Sequence, residues 1–247
     1  MLNGKVALVT GGGSGIGYAT ALALAKHGAT VVIGNRRVEA GQKAAADIQA
    51  VGGTAIFQQT DVTQAEQVQL LVDLAVSEFG RLDIAFNNAG GFGPVAPLGQ
   101  QADADFDRIF EVNVKGVFLC MKAQIGQMQK QGSGVIINNA STTGIRNMTH
   151  GVSLYAASKS AVISFTKSAA IEYAQQGLRI NAVVPGRIDT DMLRSASQDV
   201  SRFAADLPMR RVGQPKEVAD AVVWLASDHA SFVTGHLLAV DGGFLAE

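Results

Sequence analysis

The chain has 247 residues, a formal net charge of -1, and 47% hydrophobic against 17% charged residues, the balance of a folded protein long enough to bury one sizeable core. That balance excludes a disordered chain and gives a nucleic-acid partner no electrostatic support. Cys120 is the sole cysteine, which excludes an intrachain disulfide, and the apolar run at residues 6–9 is too short for a membrane span or a signal peptide; the expected location is the cytoplasm.

Residues 6–9 read as a strand, which opens onto Thr10-Gly11-Gly12-Gly13-Ser14-Gly15-Ile16-Gly17 before an alanine- and leucine-rich helix over 15–27. Glycine lets the backbone approach a ligand closely, and the free amides at the start of the helix favour a pyrophosphate. Strand, glycine turn and helix in that order are the setting of a dinucleotide site, although the spacing of Gly11, Gly15 and Gly17 departs from G-x-G-x-x-G. A second strand at 30–33 ends in Gly34-Asn35-Arg36-Arg37, where a doubly wound fold presents its group to the adenosine ribose. An NAD site places a carboxylate there. Here Asn35 is neutral, and Arg36 and Arg37 suit a 2′-phosphate through charge-assisted hydrogen bonds. NADP(H) is the expected cofactor, with NAD(H) the alternative.

A helix over 40–50, a strand at 54–57, a helix over 64–79 and a strand at 82–86 follow. Next come a long helix over 106–129, a strand at 134–137, a helix over 154–175, and strands at 179–184 and 237–240. Strands apolar on both faces that alternate with helices imply right-handed βαβ units. The expected fold is α/β, a doubly wound (Rossmann-type), mostly parallel seven-stranded sheet flanked by helices on both faces. No linker or repeat divides the chain, so residues 1–247 are expected as a single dinucleotide-binding and catalytic domain, with the mixed-charge stretch 191–211 as a substrate lid. His27, His150, His229 and His236 make no i,i+4 pair, and no metal is expected.

The strand at 134–137 runs into Asn138-Asn139-Ala140-Ser141, at the carboxyl end where open α/β sheets place ligands. The Ser141 hydroxyl there suits a carbonyl oxygen on which negative charge develops. Tyr155 and Lys159 stand four residues apart on the next helix and share a face, whereas neither Tyr18 nor Tyr173 has a lysine four residues on. A positive charge beside a phenol favours the phenolate and brings the group closer to acid/base duty at neutral pH.

Together these motifs resemble the short-chain dehydrogenase/reductase family over essentially the whole chain. The resemblance places the family's glycine pattern on Thr10 to Gly17, its adenine-contacting acid on Asp61 followed by Val62, and its structural Asn-Ala-Gly on Asn88-Ala89-Gly90. It implies that Ser141 orients the substrate and Tyr155 transfers the proton. Lys159 would lower the tyrosine pKa and hold the nicotinamide ribose, and Asn113 would anchor a relay water. Pro185, Gly186, Ile188 and Thr190 match the segment that meets the nicotinamide carboxamide, and Asp241-Gly242-Gly243 matches the family's terminal motif. The family's usual assembly implies a homotetramer built through the helices carrying Asn113 and Tyr155.

By the same resemblance, Gly91, Phe92, Thr142, Thr143, residues 146–152, Arg187 and residues 192–208 surround the substrate. Arg146, His150 and Arg187 are candidates to engage an anionic or polyol substrate. The expected function is hydride transfer between NADP(H) and a ketone or secondary alcohol. The alternatives are a 3-oxoacyl-carrier-protein reductase, an NAD-dependent sugar or alcohol dehydrogenase, and a non-catalytic dinucleotide sensor. The first of these needs basic residues at the pocket mouth, for which Arg146, Arg187, Arg194, Arg210 and Arg211 are candidates.

Overall fold

The computed structural model describes residues 1–147, 149–196, 199–205 and 207–246. In chain order the elements are β1 (Val6–Thr10), α1 (Gly15–Lys26), β2 (Thr30–Asn35), α2 (Val38–Ala50), β3 (Ala55–Gln59), α3 (Ala65–Phe79) and β4 (Ile84–Asn87). There follow α4 (Asp103–Phe110), α5 (Gly116–Gln131), β5 (Gly134–Asn139), α6 (Ser153–Tyr173), β6 (Leu178–Pro185), α7 (Asp191–Ala196), α8 (Pro215–Ala226) and β7 (Leu237–Val240). The seven strands lie in the order β3-β2-β1-β4-β5-β6-β7, and every neighbouring pair is parallel. The strand order reverses between β1 and β4, which opens a crevice at their carboxyl ends where such sheets bind ligands.

Strand alternation builds a separate core on each face. In β1, Ala7 and Val9 face α1, α2 and α8, packing with Leu24, Ile48 and Val222, whereas Val6 and Leu8 face α3, α5 and α6, packing with Leu71, Met121 and Val162. A strand buried on both sides reads as a continuous apolar run for this reason. The helix α8 was not singled out by its sequence pattern. Its start is fixed by Pro215 and by a reciprocal capping box between Gln214 and Glu217, and its buried face includes Val218, Val222 and Leu225.

Between α4 and α5 the helix does not break. Residues Glu111–Lys115 wind as a π turn with helical dihedrals on either side, a feature that concentrates at functional sites. Beneath the crevice, a buried polar cluster joins four elements. Asn87 Nδ2 donates to Gln124 Oε1 at 3.0 Å and to Asn138 Oδ1 at 2.9 Å, and Gln124 Nε2 donates back to Asn87 Oδ1 at 2.8 Å. Asn138 Nδ2 in turn donates to Thr166 Oγ1 on α6 at 2.9 Å.

Of the stretch expected as a lid, Asp191–Ala196 is a short helix and Val200–Phe203 a 3₁₀ turn, while Ser197, Gln198 and Asp206 lie outside the described residues. Met148, in the stretch expected to face the substrate, also lies outside them. Among the described residues no helix is long and apolar enough to cross a membrane. Nor, among those residues, is any group of three or more His, Cys, Asp or Glu side chains placed to hold a metal ion.

Candidate active site

The glycine turn leaves β1 and enters α1 at the crevice. Gly11 has φ +66°, and a Cβ on it would lie 2.9 Å from Asn88 Nδ2; one on Gly17 would lie 2.2 Å from the Gly11 carbonyl oxygen. Both glycines are therefore needed to fold the turn tightly, whereas a Cβ on Gly15, at φ +53°, would meet only Thr190, at 3.3 Å. This division of labour explains the unusual spacing. The turn is fastened from across the sheet: Asn88 Nδ2 donates to the Thr10 and Gly11 carbonyls at 3.1 Å each, and the Asn88 and Ala89 amides donate to Thr10 Oγ1.

Ser14 occupies the N-cap of α1 without a side-chain capping bond, and the first turn of the helix carries no acidic residue. Its leading amides are left for an anion, and a dinucleotide pyrophosphate fits them. Arg37 Nη2 donates to Ser14 Oγ at 3.1 Å, setting a guanidinium across the turn. Asn35 is buried, with Nδ2 bound to the Arg37 carbonyl at 2.7 Å, and Arg36 is exposed. Asp61 Oδ1 accepts from the Thr63 amide and hydroxyl, which fixes the carboxylate, and Val62 is buried beside Val68 and Cys120. Burial pushes the Cys120 thiol up to about 12.

At the carboxyl end of β5 the structure brings Ser141, Tyr155, Lys159 and Asn113 together. Burial drives the Tyr155 phenol up, and the nearby Ser141 hydroxyl, which favours the phenolate, offsets this only in part. The residue itself is half-buried. Lys159 is buried, Nζ donates to the Asn139 carbonyl at 2.6 Å, and it stands 5.7 Å from the centre of the Tyr155 ring. Burial draws its pKa down to about 8. The upward direction at Tyr155 differs from the expected lowering by Lys159, because desolvation of the phenol dominates.

Asn113 lies in the π turn and is fully buried. It exchanges two hydrogen bonds of 2.8 Å with the Gly91 backbone and donates to Ser158 Oγ at 3.0 Å; Ser158 donates in turn to the Tyr155 carbonyl at 2.7 Å. Gly90 sits between the two functional side chains, with its virtual Cβ 3.1 Å from Asn113 Oδ1 and 3.7 Å from Lys159 Nζ. The Phe92 ring packs 4.8 Å from that of Tyr155, tilted by 51°.

A family model described as "Enoyl-(Acyl carrier protein) reductase" matches residues 11–245. The chain belongs to the short-chain dehydrogenase/reductase family. It is 44% identical over 243 residues to cis-4-hydroxycyclohexanecarboxylate dehydrogenase of Sinomonas cyclohexanicum, covering 98% of this chain and 97% of that protein. It is 41% identical over 245 residues to cyclohexanol dehydrogenase of Acinetobacter sp. (strain SE19), covering 99% and 96%. The solved 3-ketoacyl-(acyl-carrier-protein) reductase from Brucella melitensis, complexed with NADH, superposes with a TM-score of 0.93 at 37% identity, covering 99% of both chains. The chain is thus a short-chain dehydrogenase/reductase oxidoreductase acting between alcohols and ketones, in a family that uses NAD(H) or NADP(H).

Of the downstream residues expected in this family, Pro185 ends β6, and a Cβ on Gly186 would strike Asp241 at 2.9 Å. Ile188 is buried and bridges to Gly213, while Thr190 Oγ1 accepts from the Leu193 amide at 3.3 Å at the start of α7. Arg187 and Arg146 face other parts of the protein. Arg187 Nη1 donates to the Phe203 carbonyl at 2.8 Å with the guanidinium over that ring, and Arg146 Nη1 does the same to Phe244 at 3.1 Å. Two residues at the site escaped sequence reasoning. Ser158 lies inside the Tyr155 to Lys159 spacing and ties it to Asn113. Asn139 gives its carbonyl to Lys159 and its amide to Asn88 Oδ1 at 2.9 Å, with Oδ1 buried and unpaired. A second polar residue ending an otherwise apolar strand was the available signal.

Proposed function

We propose that this oxidoreductase moves a hydride between NADP(H), ahead of NAD(H), and a ketone or secondary alcohol, with Tyr155 as general acid/base. The observation that carries the reading is the placement of Lys159 with its ammonium 5.7 Å from the centre of the Tyr155 ring, beside Ser141, whose hydroxyl favours the phenolate, at the carboxyl end of β5. A bound nicotinamide supplies the hydride in one direction and accepts it in the other. In reduction the Tyr155 hydroxyl gives its proton to the substrate oxygen, and in oxidation the phenolate takes the alcohol proton back. Ser141 holds that oxygen beside the phenol as its charge changes. Lys159 keeps positive charge close by at neutral pH, because even its lowered pKa of about 8 lies above it. Both Asn113 donors and one acceptor position are engaged, leaving one lone pair on Oδ1 to anchor a relay water.

The residues to hold the cofactor are Gly11, Ser14, Gly15, Ile16 and Gly17 at the pyrophosphate, Asp61 and Val62 at the adenine, and Asn88, Ala89 and Gly90 along the crevice. Tyr155 and Lys159 take the nicotinamide ribose, and Pro185, Gly186, Ile188 and Thr190 the carboxamide. Arg37, tied to Ser14, with Arg36 and Asn35 in place of a carboxylate, supports the 2′-phosphate reading. In this reading residues 1–247 act as one dinucleotide-binding and catalytic domain with a lid at 191–211, assembled as a cytoplasmic homotetramer.

The test is NADPH and NADH absorbance followed over a panel of ketones and ring alcohols, with Tyr155→Phe alongside. The variant is expected to lose about 10²–10⁴-fold in kcat while still binding cofactor, read by fluorescence titration. Unchanged turnover in that variant removes the mechanism. A protein that binds cofactor but consumes it with no member of the panel is a sensor.

A further inference from the structure

An acidic carrier or a carboxylate substrate needs cations at the mouth of the cleft whose donors face outward. Each of the five arginines that the chain offers there is engaged within the protein, although Arg194, Arg210 and Arg211 remain exposed. Arg194 makes a bidentate pair with Asp189 at 2.8 and 3.0 Å, and Arg211 pairs with Glu217 at 2.6 and 2.9 Å. Arg210 donates to the Ala205 carbonyl. The remaining two arise from the loops that carry the chemistry, Arg146 just after Ser141 and Arg187 just after Gly186. Among their contacts, Arg146 donates to the Phe244 carbonyl and Arg187 to the Phe203 carbonyl, and each guanidinium covers the ring of that same residue, at 5.6 Å and 5.9 Å.

These two clasps join separate parts of the chain. Phe203 ends the 3₁₀ turn of the lid, and Phe244 opens the last turn of the chain. That last turn is itself fastened to the end of the lid, with the Met209 amide donating to the Gly242 carbonyl at 3.1 Å and a virtual Cβ on Gly243 lying 3.1 Å from Pro208. A third aromatic, Phe92, already covers the phenol. An arginine that both stacks and donates is a rigid support for a ring, and re-aiming it at a substrate anion would forfeit both contacts.

We infer that the cleft takes an uncharged, carrier-free ring ketone or ring alcohol, and that Arg146 and Arg187 are positioning residues that hold Phe244 and Phe203 as its walls. The inference rests on the hydride-transfer reading above. It separates this chain from a relative whose named substrate carries a carboxylate and from one whose named substrate is carrier-bound.

The experiment compares kcat/KM for cyclohexanone, cyclooctanone, 4-oxocyclohexanecarboxylate and acetoacetyl-acyl-carrier protein, in the wild type, Arg146→Met and Arg187→Met, with thermal melts of each. In the wild type cyclohexanone is expected to exceed the carboxylate by about tenfold or more, and the carrier substrate by more still. Each variant is expected to raise KM for cyclohexanone with a smaller change in kcat, and to move the cyclooctanone to cyclohexanone ratio up by about fivefold or more, as a methylene-sized change in a pocket allows. A purely structural role lowers the melting temperature and leaves that ratio unchanged, which overturns the assignment of the arginines. If either variant fails to fold, Phe203→Ala and Phe244→Ala carry the same ratio test. A wild-type preference for the carboxylate or carrier substrate that collapses in Arg146→Met or Arg187→Met, or in Arg202→Glu on the exposed lid, overturns the inference. Cofactor consumed with none of the four substrates removes the hydride-transfer reading, and the inference falls with it.

Discussion

At the scale of single residues, burial sets the charge states of the two groups that matter. It raises the Tyr155 phenol, so the proton donor for reduction is in place throughout the neutral range, while alcohol oxidation must climb with pH as phenolate forms. It lowers Lys159 to about 8, so below pH 8 the folded chain holds a buried ammonium at a cost of roughly 3 kcal/mol relative to the unfolded chain. Between pH 8 and the ordinary lysine value the folded state has released its proton and the unfolded chain still binds one, so wild-type stability rises with pH. Lys159→Met has no such titration. Its stability relative to wild type is expected to be greater at pH 7 than at pH 10 by up to roughly 3 kcal/mol, read from urea melts at both. The Tyr155 shift acts above pH 10 in the opposite sense and cancels in the difference. A gap independent of pH would mean that burial does not govern the ammonium. The spacing of Tyr155 and Lys159 was legible in the chain, but the direction of the tyrosine shift was not, because it depends on the burial of the phenol. The partners of Arg146 and Arg187, 98 and 16 residues away, were equally beyond local pattern.

At the scale of elements, the alternation of strand and helix was readable up to β6, with α8 missed between β6 and β7, and several strand ends were read short for one physical reason. Thr10, Asn35, Asn87 and Asn138 interrupt the apolar runs, yet their backbones stay in the parallel ladder. Polar residues are found where the sheet meets the crevice, so the pattern fades just where the site begins. The π turn, a single i→i+5 widening within an otherwise continuous helix, was not read from the residue spacing. The cluster of Asn87, Gln124, Asn138 and Thr166 is non-local and could not be read either. It fixes α5, which follows Asn113, and α6, which carries Tyr155, against the two central strands. Asn138→Leu would strand Asn87 and Thr166 without their partner, with an expected cost of about 2–5 kcal/mol in denaturant melts. A cost under about 0.5 kcal/mol would mean that the cluster adds nothing to packing.

At the scale of the whole molecule, the two long helices leave an apolar groove on the outside, lined by Phe110, Val114, Phe118 and Phe165 between Asp107, Glu111 and Lys115. Phe118 is 49% exposed and lies 6.3 Å from the Phe165 ring, an arrangement that suits burial by another copy of the chain. Phe118→Glu is therefore expected to lower the mass seen by light scattering by at least half while circular dichroism keeps its wild-type shape. An unchanged mass would mean that copies of the chain do not meet through this groove. The fastening of the glycine turn by Asn88 also bears on synthesis and dissection. The groups that hold the turn come from Asn88 and Ala89, just after β4, 77 residues and more beyond the peptide they hold. A nascent chain that has emerged only through α3 has every glycine of the motif and none of its clasp. The amino-terminal segment is therefore no portable nucleotide-binding cassette, and cutting the polypeptide between α3 and β4 separates the loop from what shapes it.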